Sequence, residues 1–314
     1  MTQVTATTSA LVVGNAPEIT EELFFKFASF IDAKPKTIAT YTRALRQFFR
    51  FLSLRGIRQP TREDVMTFRE ELRQEHKATT VQNYIVAVRL FFKWTEQEGI
   101  YKNVADKIKG AAISKEHKKD YLTPQQVKTV LSCIERKTLS GRRDYALLGL
   151  MLTGGLRTIE ASRANIEDLR TIADTTALFI QGKGREEKTD FVKIPAQVEA
   201  ALRGYLRLRT DAAPSDPLFS STSNNSQGQR LTTRSISAIV KGRLKNAGFN
   251  SERLTAHSLR HTAVTLSLLG GQGIQEVQQF ARHSSITTTQ IYAHNLDRMK
   301  NQCEVTIAQA IFNT

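Results

Sequence analysis

Apolar side chains return every third or fourth residue from Pro17 to about Gly99, and a segment with that period has to bury one face of each helix it forms. Ile19, Leu23, Phe24, Phe27 and Ile31 fall on one helical face, and Ile38, Tyr41, Leu45, Phe48, Phe49 and Leu52 on a second. Pro60-Thr61 opens a third helix carrying Val65, Phe68 and Leu72. Thr79 or Thr80 starts a fourth, with Tyr84, Val88 and Phe91 inward, and Gly56 and Gly99 sit where helices should stop. Four helices of this size make a small bundle with its own core. The chain has 314 residues, longer than one typical domain, so a second is expected. It should begin at Thr123-Pro124-Gln125-Gln126, which supplies an N-cap, a proline at the first helical position and a Gln at the capping-box position.

The division that follows is a flexible tail over 1–17, rich in Thr, Ala and Ser; a helical domain over 18–102; a linker over 103–121; and a second domain over 122–314. The linker is basic, with Lys107, Lys109, Lys115, Lys118 and Lys119 and no clear period. The second domain reads as mainly helical with one β-rich island. Residues 177–180 (Ala-Leu-Phe-Ile) and 191–194 (Phe-Val-Lys-Ile) flank a polar segment and predict an antiparallel hairpin. Residues 211–230, rich in Pro, Ser and Asn, read as a loop, and residues 295–314 as a C-terminal tail with Met299, Val305, Ile307, Ile311 and Phe312 as its apolar positions. The fold class is therefore mainly α with a small antiparallel β-sheet.

The formal net charge is +15, and the excess of Lys and Arg is spread over both halves rather than gathered in a tail. A polyanion touched by both halves is the simplest partner, nucleic acid being the commonest; a merely basic soluble protein is the plainer explanation. In the first domain Lys36, Arg43, Arg46, Arg50, Arg89 and Lys93 stand between the apolar positions, and Thr37, Thr40, Thr79 and Thr80 lie near helix starts, where backbone N–H groups favour anions. Lys36, Thr37, Arg43, Arg46, Arg50, Thr80, Arg89 and, in the linker, Lys118 and Lys119 are the candidate DNA contacts. For any one of them a solvated helix face is the competing explanation. Cys133 and Cys303 make no disulfide framework, and no Cys/His cluster has zinc-ligand spacing. Neither a signal peptide nor a membrane-length apolar run is present, so a cytoplasmic location with no membrane partner, no metal and no cofactor is expected.

Four stretches of the second domain read as parts of one site: Thr153-Gly154-Gly155-Leu156-Arg157, Gly182-Lys183-Gly184, His257-Ser258-Leu259-Arg260-His261, and His283-Ser284-Ser285 followed by Ile291-Tyr292. They offer arginines, a lysine, histidines and a tyrosine, and no clustered carboxylates. Arginines can fork onto non-bridging phosphate oxygens, a tyrosine can form a covalent ester, and a lysine or histidine can protonate a leaving oxygen. That set suits attack on a phosphodiester without a metal. Glu160, three residues after Arg157, could buttress it, and His257 and Arg260 stand i, i+3 on a predicted helix. Taken singly, each has an ordinary alternative: a surface arginine, a turn lysine, a helix-terminal histidine, a core tyrosine.

Order and spacing of these motifs, and above all Thr287-Thr288-Thr289-Gln290-Ile291-Tyr292-Ala293-His294, resemble the tyrosine recombinase (integrase) family, in particular its Xer-like members. The resemblance runs from about Ile19 to the end, weaker in the first domain. It implies a four-helix core-binding (SAM-like) domain and an α+β catalytic domain forming a C-shaped clamp on DNA. It further implies Tyr292 as the nucleophile of a 3′-phosphotyrosyl bond, Arg157 and Arg260 as the phosphate clamp, Lys183 as general acid, and His257 and His283 as the phosphate-contacting and proton-handling pair. The expected partners are double-stranded DNA with short inverted-repeat sites and further copies of the chain, as a tetramer, or a paralogous recombinase. Dimer resolution and mobile-element integration stay open, as do a type IB topoisomerase and a catalytically silent DNA-binding regulator. Three departures stand out: an extra glycine before Arg157, Thr158 where the family often has a larger residue, and Ala281-Arg282-His283 where the family frequently has Leu-Gly-His. No arm-type DNA-binding domain is expected before the bundle.

Overall fold

The computed structural model describes residues 21–112, 120–182, 186–300 and 302–312. Tail 1–17 and the candidates Lys118, Lys119 and Lys183 lie outside them. The chain divides into two compact units, Met1–Ser114 and Lys115–Thr314.

The first unit holds α1 (Glu21–Phe30), α2 (Pro35–Leu54), α3 (Arg62–Glu75) and α4 (Ala78–Gln97). The inward residues of the periodic pattern meet in an aromatic core. Phe27 stands edge-on to Phe91 with centroids 5.4 Å apart, and Phe48 edge-on to Phe92 at 5.9 Å. Thr61 caps α3 through a reciprocal pair with Asp64, the Thr61 N–H donating to Oδ2 at 2.7 Å. The fourth helix begins just before the threonines expected to start it. Lys77 is its N-cap, as Lys34 is for α2, and neither end has a side-chain cap. Thr37 and Thr80 thus sit inside the first turns. The segment read as linker starts by packing on this core, where Val104, Ala105 and Ile108 are buried.

The second unit holds α5 (Pro124–Ser132), α6 (Leu139–Thr153), α7 (Thr158–Arg163), β1 (Leu169–Ile172), β2 (Thr175–Ile180), β3 (Asp190–Lys193), α8 (Ala196–Leu206), α9 (Thr233–Asn246), α10 (Ala256–Leu269), α11 (Ile274–Ala281), α12 (Ile286–Lys300) and α13 (Cys303–Phe312). The capping box on α5 forms between Thr123 and Gln126. The hairpin is there, with Phe179 opposite Phe191, and a further strand, β1, pairs antiparallel on its other edge with Leu169 opposite Leu178. Leu147, Leu148, Leu150 and Met151 of α6 are fully buried at the centre of the core. Arg143 and Arg243 share the buried carboxylate of Asp144. On α13 no described residue is buried, and Val305, Ile307, Ile311 and Phe312 are 53–71% exposed. Among the described residues no helix is long and apolar enough to cross a membrane.

Candidate active site

The end of α6 sets the first part of the site. Gly154 caps the helix and Gly155 follows at φ +56°, where a Cβ would stand 3.1 Å from the Phe280 ring. This is the physical reason for the second glycine. The chain then turns so that Arg157 opens α7, and Glu160 reaches back to it. Glu160 accepts from the Arg157 backbone N–H at 2.8 Å and from its Nη1 at 2.7 Å. The predicted i, i+3 pair is therefore a helix-start contact as well as an ion pair.

Arg260, on α10, is 1% exposed. Its Nη1 donates to the carbonyl of Gly155 at 2.6 Å and its Nη2 to the carbonyl of Ala281. Arg157 Nη2 donates to the next carbonyl, that of Arg282, at 3.1 Å. Main-chain oxygens from the two loops thus hold both guanidiniums. Burial and the charges of Arg157 and Arg282 push Arg260 down to about 9, so it remains a cation at neutral pH.

Helix α11 ends at Arg282 in the left-handed conformation, φ 52°, which directs the chain into His283. His283 is fixed by its backbone N–H to Gln278 O at 3.1 Å and by Nδ1, which is 2.9 Å from Thr289 Oγ1. Burial, then the charges of Arg260, Arg157, Arg282 and His257, push its imidazole down to about 4, so it is neutral at pH 7. Where the Thr289 hydroxyl donates to Nδ1, the ring proton sits on Nε2, free to donate elsewhere.

Tyr292, on α12, is 6% exposed and packs with Val264, Val277 and Ala281. His283 stacks near it with centroids 6.1 Å apart, and His261 lies at 5.0 Å on another side. Burial pushes its phenol up to about 12, against the pull of Arg260 and Arg157. His257 is exposed, and its ring meets that of His261, one turn on, at 4.7 Å.

Arg157, Glu160, Arg260, His283 and Tyr292 are therefore brought together, with His257 at the rim. Of the two lysines between β2 and β3, Lys183 lies outside the described residues, and Lys188 is held at 2.5 Å by the buried carboxylate of Asp168. Sequence reasoning missed three residues of the cluster. His261 follows His257 by four, a helical spacing that would have found it. Thr289 is one of three consecutive threonines and is the one buried. Arg282 gave no signal beyond its departure from the family pattern.

The candidates of the first unit are separate from this cluster. Lys36, Arg43, Arg46, Arg50 and Arg89 are exposed, and Thr37 and Thr80 are half-buried. Arg43, Arg46 and Arg50 line a cavity of about 590 Å³ between α2 and α3, with Glu71 and Glu75 also on its wall.

Comparison with known proteins bears on both units. The family model for the N-terminal SAM-like domain of phage integrases matches residues 30–99, and that of the phage integrase family matches residues 120–299. Tyrosine recombinase XerD of Listeria monocytogenes serotype 4b is 30% identical, over 82% of this chain and 87% of that protein. Tyrosine recombinase XerC of Pelobacter propionicus is 30% identical, over 84% and 87%. The crystal structure of XerH site-specific recombinase bound to palindromic difH substrate shares the fold, with a TM-score of 0.73 at 21% identity over 96% of this chain and 92% of that one. Sequence and fold agree over nearly the whole length, and the chain belongs to the phage integrase family as a tyrosine recombinase.

Proposed function

We propose that this chain cuts and rejoins double-stranded DNA at specific sites, with Tyr292 as the nucleophile. The observation that carries this reading is the meeting of two main-chain-held guanidiniums, Arg157 and Arg260, beside Tyr292 and a neutral His283. Arg157 and Arg260 bind the non-bridging oxygens of the scissile phosphate and stabilise the charge of the pentavalent transition state. The Tyr292 oxygen bonds to phosphorus, the bond from phosphorus to the 5′-oxygen breaks, and that oxygen takes a proton from Lys183. The 3′-phosphotyrosyl ester keeps the bond energy, so a 5′-hydroxyl from another strand reverses the step without ATP. Tyr292 loses its own proton to its surroundings, with His257 and His283 the neighbours suited to handle it. The one carboxylate of the cluster, Glu160, is already shared by two arginines. Cleavage should accordingly persist in excess EDTA.

The phosphate contacts of the first unit are supported by exposed Lys36, Arg43, Arg46, Arg50 and Arg89 and by the uncapped starts of α2 and α4. Lys118 and Lys119 add to these contacts, and both units bind a short inverted-repeat site in the cytoplasm. Assembly as a tetramer on two sites, or with a paralogous recombinase, is favoured over topoisomerase-like relaxation by the exposed apolar residues of α13, which suit docking on a neighbouring copy.

The direct test is a denaturing gel after incubation with a nicked target duplex. The unmodified chain should leave a protein–DNA adduct; Tyr292→Phe should bind and leave none. An adduct with Tyr292→Phe, or none with the unmodified chain on any recovered target, overturns the reading. Truncation after Lys300 should preserve binding to one half-site and abolish cooperative occupancy of two.

A further inference from the structure

Arg282 has no place in the chemistry above, yet its guanidinium is a third one in the cluster. Its side chain is 10% exposed. Its backbone takes φ 52°, which disfavours any residue with a Cβ and which a glycine would adopt freely. Its Nη1 donates to Phe280 O at 2.7 Å, and its Nη2 to Gly155 O at 3.1 Å and to Glu160 Oε2 at 3.0 Å. Two of these partners, Gly155 O and Glu160, also hold the other two arginines. Gly155 O also accepts from Arg260, Glu160 also accepts from Arg157, and the Arg282 carbonyl accepts from Arg157.

We propose that Arg282 is a positioning residue of the phosphate clamp: it occupies one oxygen of Glu160 and ties the Gly155 turn to the loop before His283. The consequence for Arg157 is specific. With Oε2 shared between Arg282 and the Arg157 backbone N–H, the Arg157 side chain meets Glu160 through Oε1 alone. A two-pronged Arg157–Glu160 fork would absorb the guanidinium's paired donors. Arg282 blocks that fork and leaves an edge of Arg157 for phosphate. It also supplies a charge that keeps Glu160 ionised. Burial opposes ionisation, but Arg282 and then Arg157 outweigh it, and the carboxyl lies below the usual carboxylate range. The role rests on the recombinase reading above.

The test compares Arg282→Gly, Arg282→Asn and Arg282→Lys in the full chain, with adduct formation, DNA affinity and melting temperature measured together. Glycine and asparagine both tolerate the left-handed backbone, so the turn should keep its shape. Adduct formation should fall by about 10- to 100-fold in both, a loss the size of one or two misplaced hydrogen bonds to a charged group, while affinity stays within about threefold. Lysine should recover part of the rate. The acid limb of the rate should move to higher pH, because Glu160 without Arg282 takes up its proton earlier. The same shift should be readable without chemistry in a Tyr292→Phe background, as a smaller loss of stability on acidification, because the folded and unfolded Glu160 carboxyls then titrate closer together. In a Glu160→Gln background, Arg282→Gly should cost little more, the mark of two residues acting as one. An unchanged rate and acid limb in Arg282→Gly, or losses that simply multiply with Glu160→Gln, would overturn the proposal. Failure of both Gly and Asn variants to fold would make Arg282 a purely structural residue and overturn it too. Absence of an adduct from the unmodified chain would instead indict the function reading.

Discussion

The two units bury different kinds of matter. In the first, Thr95 is the one buried polar residue among those described, and the core is aromatic. In the second, Arg143, Asp144, Glu160, Asp168, Arg260 and His261 are buried alongside the aliphatic core. Removing a guanidinium from water is costly unless charges and hydrogen bonds replace the lost hydration. The second unit meets that cost with carbonyls at loop ends and with shared carboxylates. Among its described residues the first buries no charged side chain. Charge at the surface grips a polyanion at modest strength wherever the backbone runs; charge in a dry, fixed setting acts far more strongly on one phosphate.

The comparison can be broken from either side. Phe48→Ala should cost about 3–5 kcal/mol of folding stability, as other large-to-small core changes do, with the adduct rate per folded molecule unchanged in chemical denaturation and gel assays run together. Arg260→Ala should show the reverse emphasis, lowering adduct formation by about 100- to 1,000-fold, the scale for one fixed donor at a developing charge. Equal damage to rate from both would erase the distinction. Gly155→Ala combines a positive φ with a 3.1 Å approach to Phe280, and a fall in stability of about 1–3 kcal/mol is expected by thermal melting, with the adduct rate falling too. Arg43→Ala should lower the magnitude of the log–log salt slope of DNA binding by about one and leave the chemistry alone. An unchanged slope would make that arginine part of the mixed-charge wall it shares with Glu71.

The smallest effect concerns pH. The folded chain holds His283 down at about 4, against 6.5 when free. Below about 6.5 the unfolded chain therefore takes a proton that the folded chain refuses until near 4, and stability falls as pH drops through that window. Melting at pH 7.5 and 5 should show a larger drop for the unmodified chain than for His283→Gln. A larger drop in the variant would reverse the assigned sign.

Much of this was legible before any coordinates. Helix starts at Thr61 and Thr123 were readable because a capping residue and its partner three positions on are a local code. The Arg157–Glu160 pair was readable for the same reason. Strand β1 was not, because Leu169-Arg-Thr-Ile carries no alternation strong enough to betray a partner, and three of its four residues are exposed. The depth of Arg260 was also hidden, since no pattern in its own helix announces carbonyls contributed from Gly155 and Ala281. The left-handed turn at Arg282 was masked by the residue itself: a glycine there would have advertised it.

Holding the clamp by main-chain oxygens divides labour within a residue. A carbonyl is supplied by every amino acid, so positions 281 and 282 hold Arg260 and Arg157 through the path of the chain and not through their own side chains. The side chain at such a position is left over for a second task. At 282 that side chain is an arginine, and it reaches the Gly155 carbonyl that Arg260 also holds.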